Sequence, residues 1–380
     1  MKEEIIWTHT RPDVDAIIAV ALLCMYKGRK KMKFFFDKEG DRLIAPQLYF
    51  KNMRFIDRGR RDLDHHIDYH NQEGVTSTDL VAKELRIDEE KWLQSILRFV
   101  RRVDLEGRSL PFDFNDILKS IARDFTVSDE EMMKMGIEMA NAIIEFHRRK
   151  LERHNEFGLK ILEEFFKKRR VEIPERFKKY MKLLKNPRFQ RVCDFIEIVV
   201  GLKETKNEEC AVAFGEMILE FLYKDVERFN RAKKELEERA RIIRMGKYII
   251  CAIVSDNPKI SPAARSLFKA DVVVQRNKDG HVQIYFNYQK LKKAKEIAKE
   301  IVRFLRILEC IEQERKIPKG SLQVERVEEI PEWYFFTPAG GGPLILNGSM
   351  TAPNVPVTKI PFPKIIETIK LVLKETSTQV

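Results

Sequence analysis

The stretch Trp7-Thr-His-Thr-Arg-Pro-Asp-Val-Asp-Ala-Ile-Ile-Ala-Val-Ala-Leu-Leu23 most constrains what this chain can fold into. Glu4 to Thr8 reads as a short buried strand, and the apolar run from Val14 reads as a helix packed behind it. The turn between them then carries His9, Asp13 and Asp15, spaced His-x-x-x-Asp-x-Asp. In an α/β sheet, ligands dock outside the carboxyl ends of the strands, at turns of this kind. One Asp here would be read as a helix cap and a nearby His as a surface residue. Three metal-ligating side chains, followed by a second cluster of acids and histidines at 57–66, read better as a site.

The next hundred residues repeat the rhythm. Met32 to Asp37 is a second buried strand, and Met53 to Asp57 a short apolar run ending in an acid. Thr76 to Leu85 opens with hydroxyls and continues with helical periodicity, an N-terminus signature. A further helix is expected over Asp88–Arg102, with Asp104 just past its end. Strand alternating with helix argues a mostly parallel sheet covered by helices. From about Val127 to Arg244 the pattern is almost wholly helical. His147 and His154 lie on that stretch, without carboxylates at suitable spacing, and are read as surface residues. A second β-rich part begins at Lys247, and Asn277-Lys-Asp-Gly280 is its best hairpin signal. A long helix follows from Gln289 to Glu314, and a last one starts near Pro363. The expected class is therefore α/β: a metal-binding region over 1–126, a basic helical continuation over 127–245, and a smaller α/β domain over 246–380.

Hydrophobic residues make up 44% and charged residues 34%, a balance that excludes a disordered chain. No apolar run is long enough to span a bilayer, so no membrane partner is expected. The first strand begins too early to leave room for a signal peptide. Five scattered cysteines with no Cys-x-x-Cys pair fit reduced thiols in a cytoplasmic protein. The net charge is +12, and Arg148–Arg191 alone holds 16 Lys or Arg against 6 Glu. Aromatics scattered through that run (Phe157, Phe165, Phe166, Phe177, Tyr180, Phe189) read as core. The charge excess itself leans towards a polyanionic partner, nucleic acid or an oligonucleotide.

Collected from strand ends and turns, the acids and histidines are His9, Asp13, Asp15, Asp57, Asp64, His65, His66 and Asp104. Mixed imidazole and carboxylate donors suit Mn²⁺, Zn²⁺ or Fe²⁺ better than Ca²⁺. Asp57 has two oxygens and could bridge two ions ~3.5–4 Å apart, an arrangement that hydrolyses phosphate esters or anhydrides.

Thr8-His-Thr-Arg-Pro-Asp-Val-Asp15, Phe55-Ile-Asp57, Asp64-His-His66 and Asp104 resemble the four motifs of the DHH phosphoesterase superfamily, in order and in approximate interval. The Thr-His opening, and Asp-His-His followed by Ser77-Thr-Asp-Leu-Val, look like the branch containing a eukaryotic 3′–5′ RNA exonuclease. The resemblance implies one metal held by His9, Asp13 and Asp57 and a second held by Asp15, Asp57, His65 and Asp104. His66 would serve the phosphate as hydrogen-bond donor or general acid, and Asp64 would orient a histidine. Two Mn²⁺ are implied, with Mg²⁺, Zn²⁺ or Fe²⁺ as alternatives. A second domain would close over the site. There Gly340, Gly341 and Gly342 resemble the superfamily's glycine-rich loop, although Pro343 stands where that pattern has His. Consecutive glycines let backbone N–H groups approach an anion or a base. Arg265, Arg276, Lys278 and His281 are candidate phosphate contacts in the same domain.

The expected function is a two-metal phosphodiesterase on nucleic acid or oligonucleotides, 3′–5′ exonuclease-like, with a homodimer compatible. Two alternatives stand beside it. One is a pyrophosphatase, polyphosphatase or cyclic-dinucleotide phosphodiesterase with the same ions, although the Ser-Arg-Lys-Lys-Gln cluster of the pyrophosphatases is missing from the C-terminal half. The other is a nucleic-acid-binding protein without turnover.

Overall fold

The computed structural model describes residues 4–27, 32–37, 53–55, 74–186, 188–337, 342–348 and 354–378. The chain divides into two units, Met1–Val226 and Glu227–Val380.

The first unit opens with three parallel strands, β1 (Glu4–His9), β2 (Met32–Asp37) and β3 (Met53–Phe55), ordered β2-β1-β3. Ile6 lies opposite Phe34 and Arg54, and His9 opposite Asp37. Parallel neighbours need a crossover, and α1 (Val14–Lys27) lies between β1 and β2 in the chain. Every residue from Val14 to Leu23 is buried. A helix apolar on all sides belongs in the interior, and α1 is packed against its neighbours accordingly.

Seven helices follow: α2 (Ser77–Glu84), α3 (Gln94–Asp104), α4 (Phe114–Ala122), α5 (Asp129–Arg148), α6 (Asn155–Arg169), α7 (Glu175–Leu184) and α8 (Phe195–Thr205). Their starts are chemically marked. Thr76 with Asp79 and Ser128 with Glu131 form capping boxes, and Asp113 and Asp194 cap α4 and α8. The helix expected from Asp88 begins only at Gln94, because two turns, closed by Glu90 and Leu93 N–H groups, occupy the intervening residues. α5 and α8 touch backbone to backbone: a Cβ on Gly201 would lie 2.1 Å from the Ala142 carbonyl oxygen. The division between units falls inside α9 (Glu208–Arg239).

The second unit contains β4 (Arg241–Met245), β5 (Tyr248–Val254), α10 (Ile260–Phe268), β6 (Val272–Arg276), β7 (Val282–Phe286), α11 (Ala294–Glu312), β8 (Tyr334–Phe336), β9 (Leu344–Leu346) and α12 (Phe362–Thr378). Its six-stranded sheet runs β4-β5-β6-β7-β9-β8, and β5–β6 is the parallel pair within it. The helical pattern read up to Arg244 gives way to a strand at Arg241, since β4 pairs antiparallel with β5 around Gly246 at φ 54°. The Asn277–Gly280 turn joins β6 to β7 as expected, with Gly280 at φ 100°. Alternate strand residues face opposite sides. Ile250, Val272, Val274 and Ile284 share a core with α11 and α12, while Cys251, Ile253 and Val273 share one with α10, Ala232 and Leu236.

The α/β class read from the sequence is thus the one observed, with a parallel sheet, flanking helices, a long helical stretch and a second sheet-containing part.

Candidate functional site

β1 ends at His9, and the chain turns through Thr10, Arg11 and Pro12 into α1. Arg11 takes a left-handed backbone (φ 52°). It is fixed there by its N–H on Asp129 (3.0 Å) and its guanidinium on the Val127 carbonyl (2.6 Å). The turn is therefore tied to the start of α5. Asp13 accepts the Ala16 N–H at 3.1 Å, so it does cap α1. The same oxygen lies 3.9 Å from His9 Nε2. Nδ1 of His9 lies 2.9 Å from the Thr10 carbonyl oxygen, which can only accept. The neutral ring therefore carries its proton on Nδ1, and Nε2 presents a lone pair on the Asp13 side. Two donors on one tetrahedral ion sit roughly 3.5 Å apart, so the 3.9 Å between His9 Nε2 and Asp13 is close to the span of a shared divalent cation.

Asp15 has a second occupation. It is 1% exposed, and its carboxylate accepts the N–H groups of Ser77 and Thr78, both at 2.8 Å, and the Thr78 hydroxyl at 2.6 Å. It thereby holds the start of α2 against α1. Oδ1 takes both bonds from Thr78 and Oδ2 the one from Ser77, so ligation by Asp15 would compete with these bonds. The chain of contacts continues through the Thr76–Asp79 box to Arg101, whose guanidinium grips Asp79 at 2.7 and 3.0 Å. Arg101 lies on α3, one turn before Asp104, the helix's half-buried last residue. Sequence reading missed this brace; the signal available was the S/T-x-x-D pattern at Thr76–Asp79.

Lys119 on α4 was also missed. Burial and then Arg123 push its ammonium down, opposed by Asp113, Asp13 and Asp116. Its side chain still reaches solvent, so we read this as local crowding of the amine, with Asp13 in its field. Asp57, Asp64, His65 and His66 lie outside the described residues.

In the second unit, Gly340 and Gly341 also lie outside the described residues, and Gly342 lies within them. A Cβ on Gly342 would meet the Phe286 carbonyl oxygen at 2.6 Å and the Tyr288 ring at 2.9 Å. Arg265, lowered by burial, feels Tyr285 and Tyr288, and its Nε is buried with no hydrogen-bond partner. Gly342 and Arg265 therefore both have Tyr288 as a neighbour. His281 sits elsewhere: it precedes β7, against the backbone of Gly348. It lies five positions before Phe286, roughly 17 Å of extended chain.

The basic stretch is more balanced in space than in sequence. Arg148 and Arg149 pair with Glu145, Arg153 with Asp194, Lys168 with Glu216, Arg169 with Glu220, and Arg176 with Asp116. Phe165, Phe166, Phe177 and Tyr180 are buried, and Phe157 and Phe189 pack on the same core, as expected. Among the described residues, Lys179, Lys182, Lys185 and Arg188 are exposed and form no ion pair. His154 is exposed. His147 is not the unpartnered surface residue expected: its Nε2 lies 3.0 Å from Glu197, fifty positions away on α8.

No protein-family model matches the chain, and no curated protein is similar to it. Among solved structures it is similar to RecJ from Thermus thermophilus in complex with Mn²⁺, at TM-score 0.39 and 10% identity, covering 98% of this chain and 52% of that one. The Mg²⁺ complex of the same protein gives TM-score 0.37 and 11% identity, with 98% and 50% covered. This chain thus spans about half the length of the RecJ chains it matches. A Methanococcus jannaschii protein assigned to the family II inorganic pyrophosphatases matches at TM-score 0.20 and 11% identity, covering 97% of this chain and 100% of that one. At such scores the likeness carries no chemistry across.

Proposed function

We propose that this chain is a divalent-metal-dependent phosphoesterase that cleaves phosphodiester bonds in single-stranded or short nucleic acid, working from the 3′ end. The observation that carries it is the His9–Asp13 pair, with Nε2 and a carboxylate oxygen 3.9 Å apart on the turn after β1. In this reading His9, Asp13 and Asp57 hold one ion, and Asp15, Asp57, His65 and Asp104 hold the other. Such ions, Mn²⁺ by preference, supply an acidified water and neutralise charge on the phosphoryl group. The protein's own contribution is orientation. The Ala16 N–H fixes Asp13, the Thr10 carbonyl fixes the His9 tautomer, and α2 fixes Asp15. His66 donates a proton or hydrogen bond to the leaving oxygen, and Asp64 orients a histidine. Arg265, His281 and the Gly340–Gly342 loop are assigned to substrate contacts.

Pyrophosphate is the second reading, and one observation favours it. Much of the basic excess of Arg148–Arg191 is neutralised by acids from outside that run, which leaves less for a strand to follow. A Mn²⁺-supplemented assay on 5′-end-labelled RNA and DNA, a dinucleotide and pyrophosphate separates the two. Progressive shortening of a labelled strand is the expected result. Hydrolysis of pyrophosphate alone transfers the assignment to the second reading, and strand binding with no hydrolysis of any substrate leaves a non-catalytic binder.

A further inference from the structure

We propose that His147, Cys193 and Glu197 form a three-ligand site for one zinc-class cation, clamping α5 to the start of α8. One ligating atom from each lies within 4.8 Å of the other two. Two donors on one tetrahedral zinc, bonded at ~2.0–2.3 Å, sit roughly 3.5 Å apart. Binding would have to close a difference of at most about 1.3 Å. The convergence follows from the helix packing. Where Gly201 meets Ala142 the two backbones are in contact. Five residues onward on α5 and four residues back on α8 stand His147 and Glu197.

The surroundings fit an ion. Ser95 Oγ lies 3.3 Å from His147 Nδ1, orienting the ring with Nε2 towards Glu197. Such an outer partner is what a metal-bound imidazole ordinarily has. Two guanidiniums stand near: Arg153 grips Asp194 and also lies 3.9 Å from the Glu197 carboxylate, and Arg102 pairs with Asp113. Two guanidiniums then face three carboxylates and the Cys193 thiol, which leaves a negative remainder once the thiol ionises. Burial pushes the Cys193 thiol well up, and the Arg102 charge works against that; Arg102 Nε and one of its terminal nitrogens are buried with no hydrogen-bond partner.

Core packing is the ordinary role of a buried cysteine. Here the backbone, left-handed at φ 54°, ties Cys193 to a second ligand: its N–H donates to Glu197 at 2.6 Å, which holds two of the three ligands together. A thiolate beside an imidazole selects a borderline or soft ion, unlike the donors at His9 and Asp13. On binding, a metal–sulfur bond replaces the S–H bond and the proton leaves to buffer. The His147 side chain is 14% exposed and gives the ion an entry.

The test uses the full chain, stripped with chelator and titrated with Co²⁺ as a spectroscopic substitute for Zn²⁺. A thiolate-to-cobalt charge-transfer band should saturate at one equivalent and vanish when Zn²⁺ is added. Cys193→Ser and Cys193→Gly should both abolish it, the glycine variant suiting the left-handed backbone. Ser95→Ala should weaken binding by ~10–100-fold while keeping the band. If both cysteine variants fail to fold, His147→Asn decides: loss of the band supports the site, and an unchanged band overturns it. A wild-type protein without a thiolate band, or a band that survives in folded Cys193 variants, likewise overturns it. The His9–Asp13 centre has no proposed sulfur ligand, so its success or failure leaves this readout untouched.

Discussion

Asp15 shows how one buried carboxylate can brace a site. Two backbone N–H groups and a hydroxyl of α2 end on it. Removing the carboxylate would strand two donors at a helix start, and bonds to a charged group are worth about 1.5–3 kcal/mol each. Asp15→Ala should therefore lose about 2–4 kcal/mol of stability in urea unfolding with no metal added. Unchanged metal-free stability would refute the brace. The cysteines give a second residue-scale expectation. Burial pushes the Cys251 thiol up to about 12, and burial also raises Cys310. Because the thiolate is the nucleophile, both should resist a thiol reagent at about pH 8 in the folded protein. The half-buried Cys24 and Cys210 should be modified first. Equal rates for all of them would show that the second unit opens readily.

At the scale of elements, the packing of α5 on α8 has a sharp test. Alanine in place of a mid-helix glycine normally gains about 0.8–1 kcal/mol. At Gly201 the added methyl would meet a backbone oxygen that cannot swing aside, and overpacking of this kind costs about 1–3 kcal/mol. Gly201→Ala should therefore be destabilising in thermal unfolding despite its better propensity; a stabilised variant would contradict the packing. In the second unit, two buried charges hold a long connection in place. Arg306, held down at about 10 by burial, donates to the carbonyls of Leu322, Val324, Glu325 and Trp333. Glu309, one turn later, accepts from Trp333, Lys359 and Gln313. Periodicity marks α11 as amphipathic but not these two residues, because their partners other than Gln313 lie 16 or more positions away.

At the scale of the molecule, a net charge of +12 invites a polyanion, but pairing decides which charges are available to it. Among the described residues, one exposed group without ion pairs is Lys179, Lys182, Lys185 and Arg188, on or just after α7. If a single strand follows this face, changing all four to Gln should flatten the salt dependence of binding. The slope of log K against log salt should fall by roughly 0.7 for each phosphate no longer neutralised. Binding to different sequences should weaken alike, and dinucleotide hydrolysis should be nearly unchanged. Equal oligonucleotide affinity at two salt concentrations would reduce α7 to a solvated surface. No helix among the described residues is long and apolar enough to cross a membrane.

What the sequence determined by itself was local. The apolar period placed β1, α1, β2, the Asn277–Gly280 hairpin and the α/β class, since buried strands and fully apolar helices are written in adjacent residues. The same locality placed His9 and Asp13 on one turn. The tertiary structure decided which charges cancel and which ligands meet. Lys168 and Glu216 lie 48 positions apart, and Arg153 and Asp194 lie 41 apart. His147 finds its carboxylate only because α5 and α8 cross at Gly201. Pairings of that length depend on how helices pack, and packing is set by the shapes of whole faces, which no short spacing encodes.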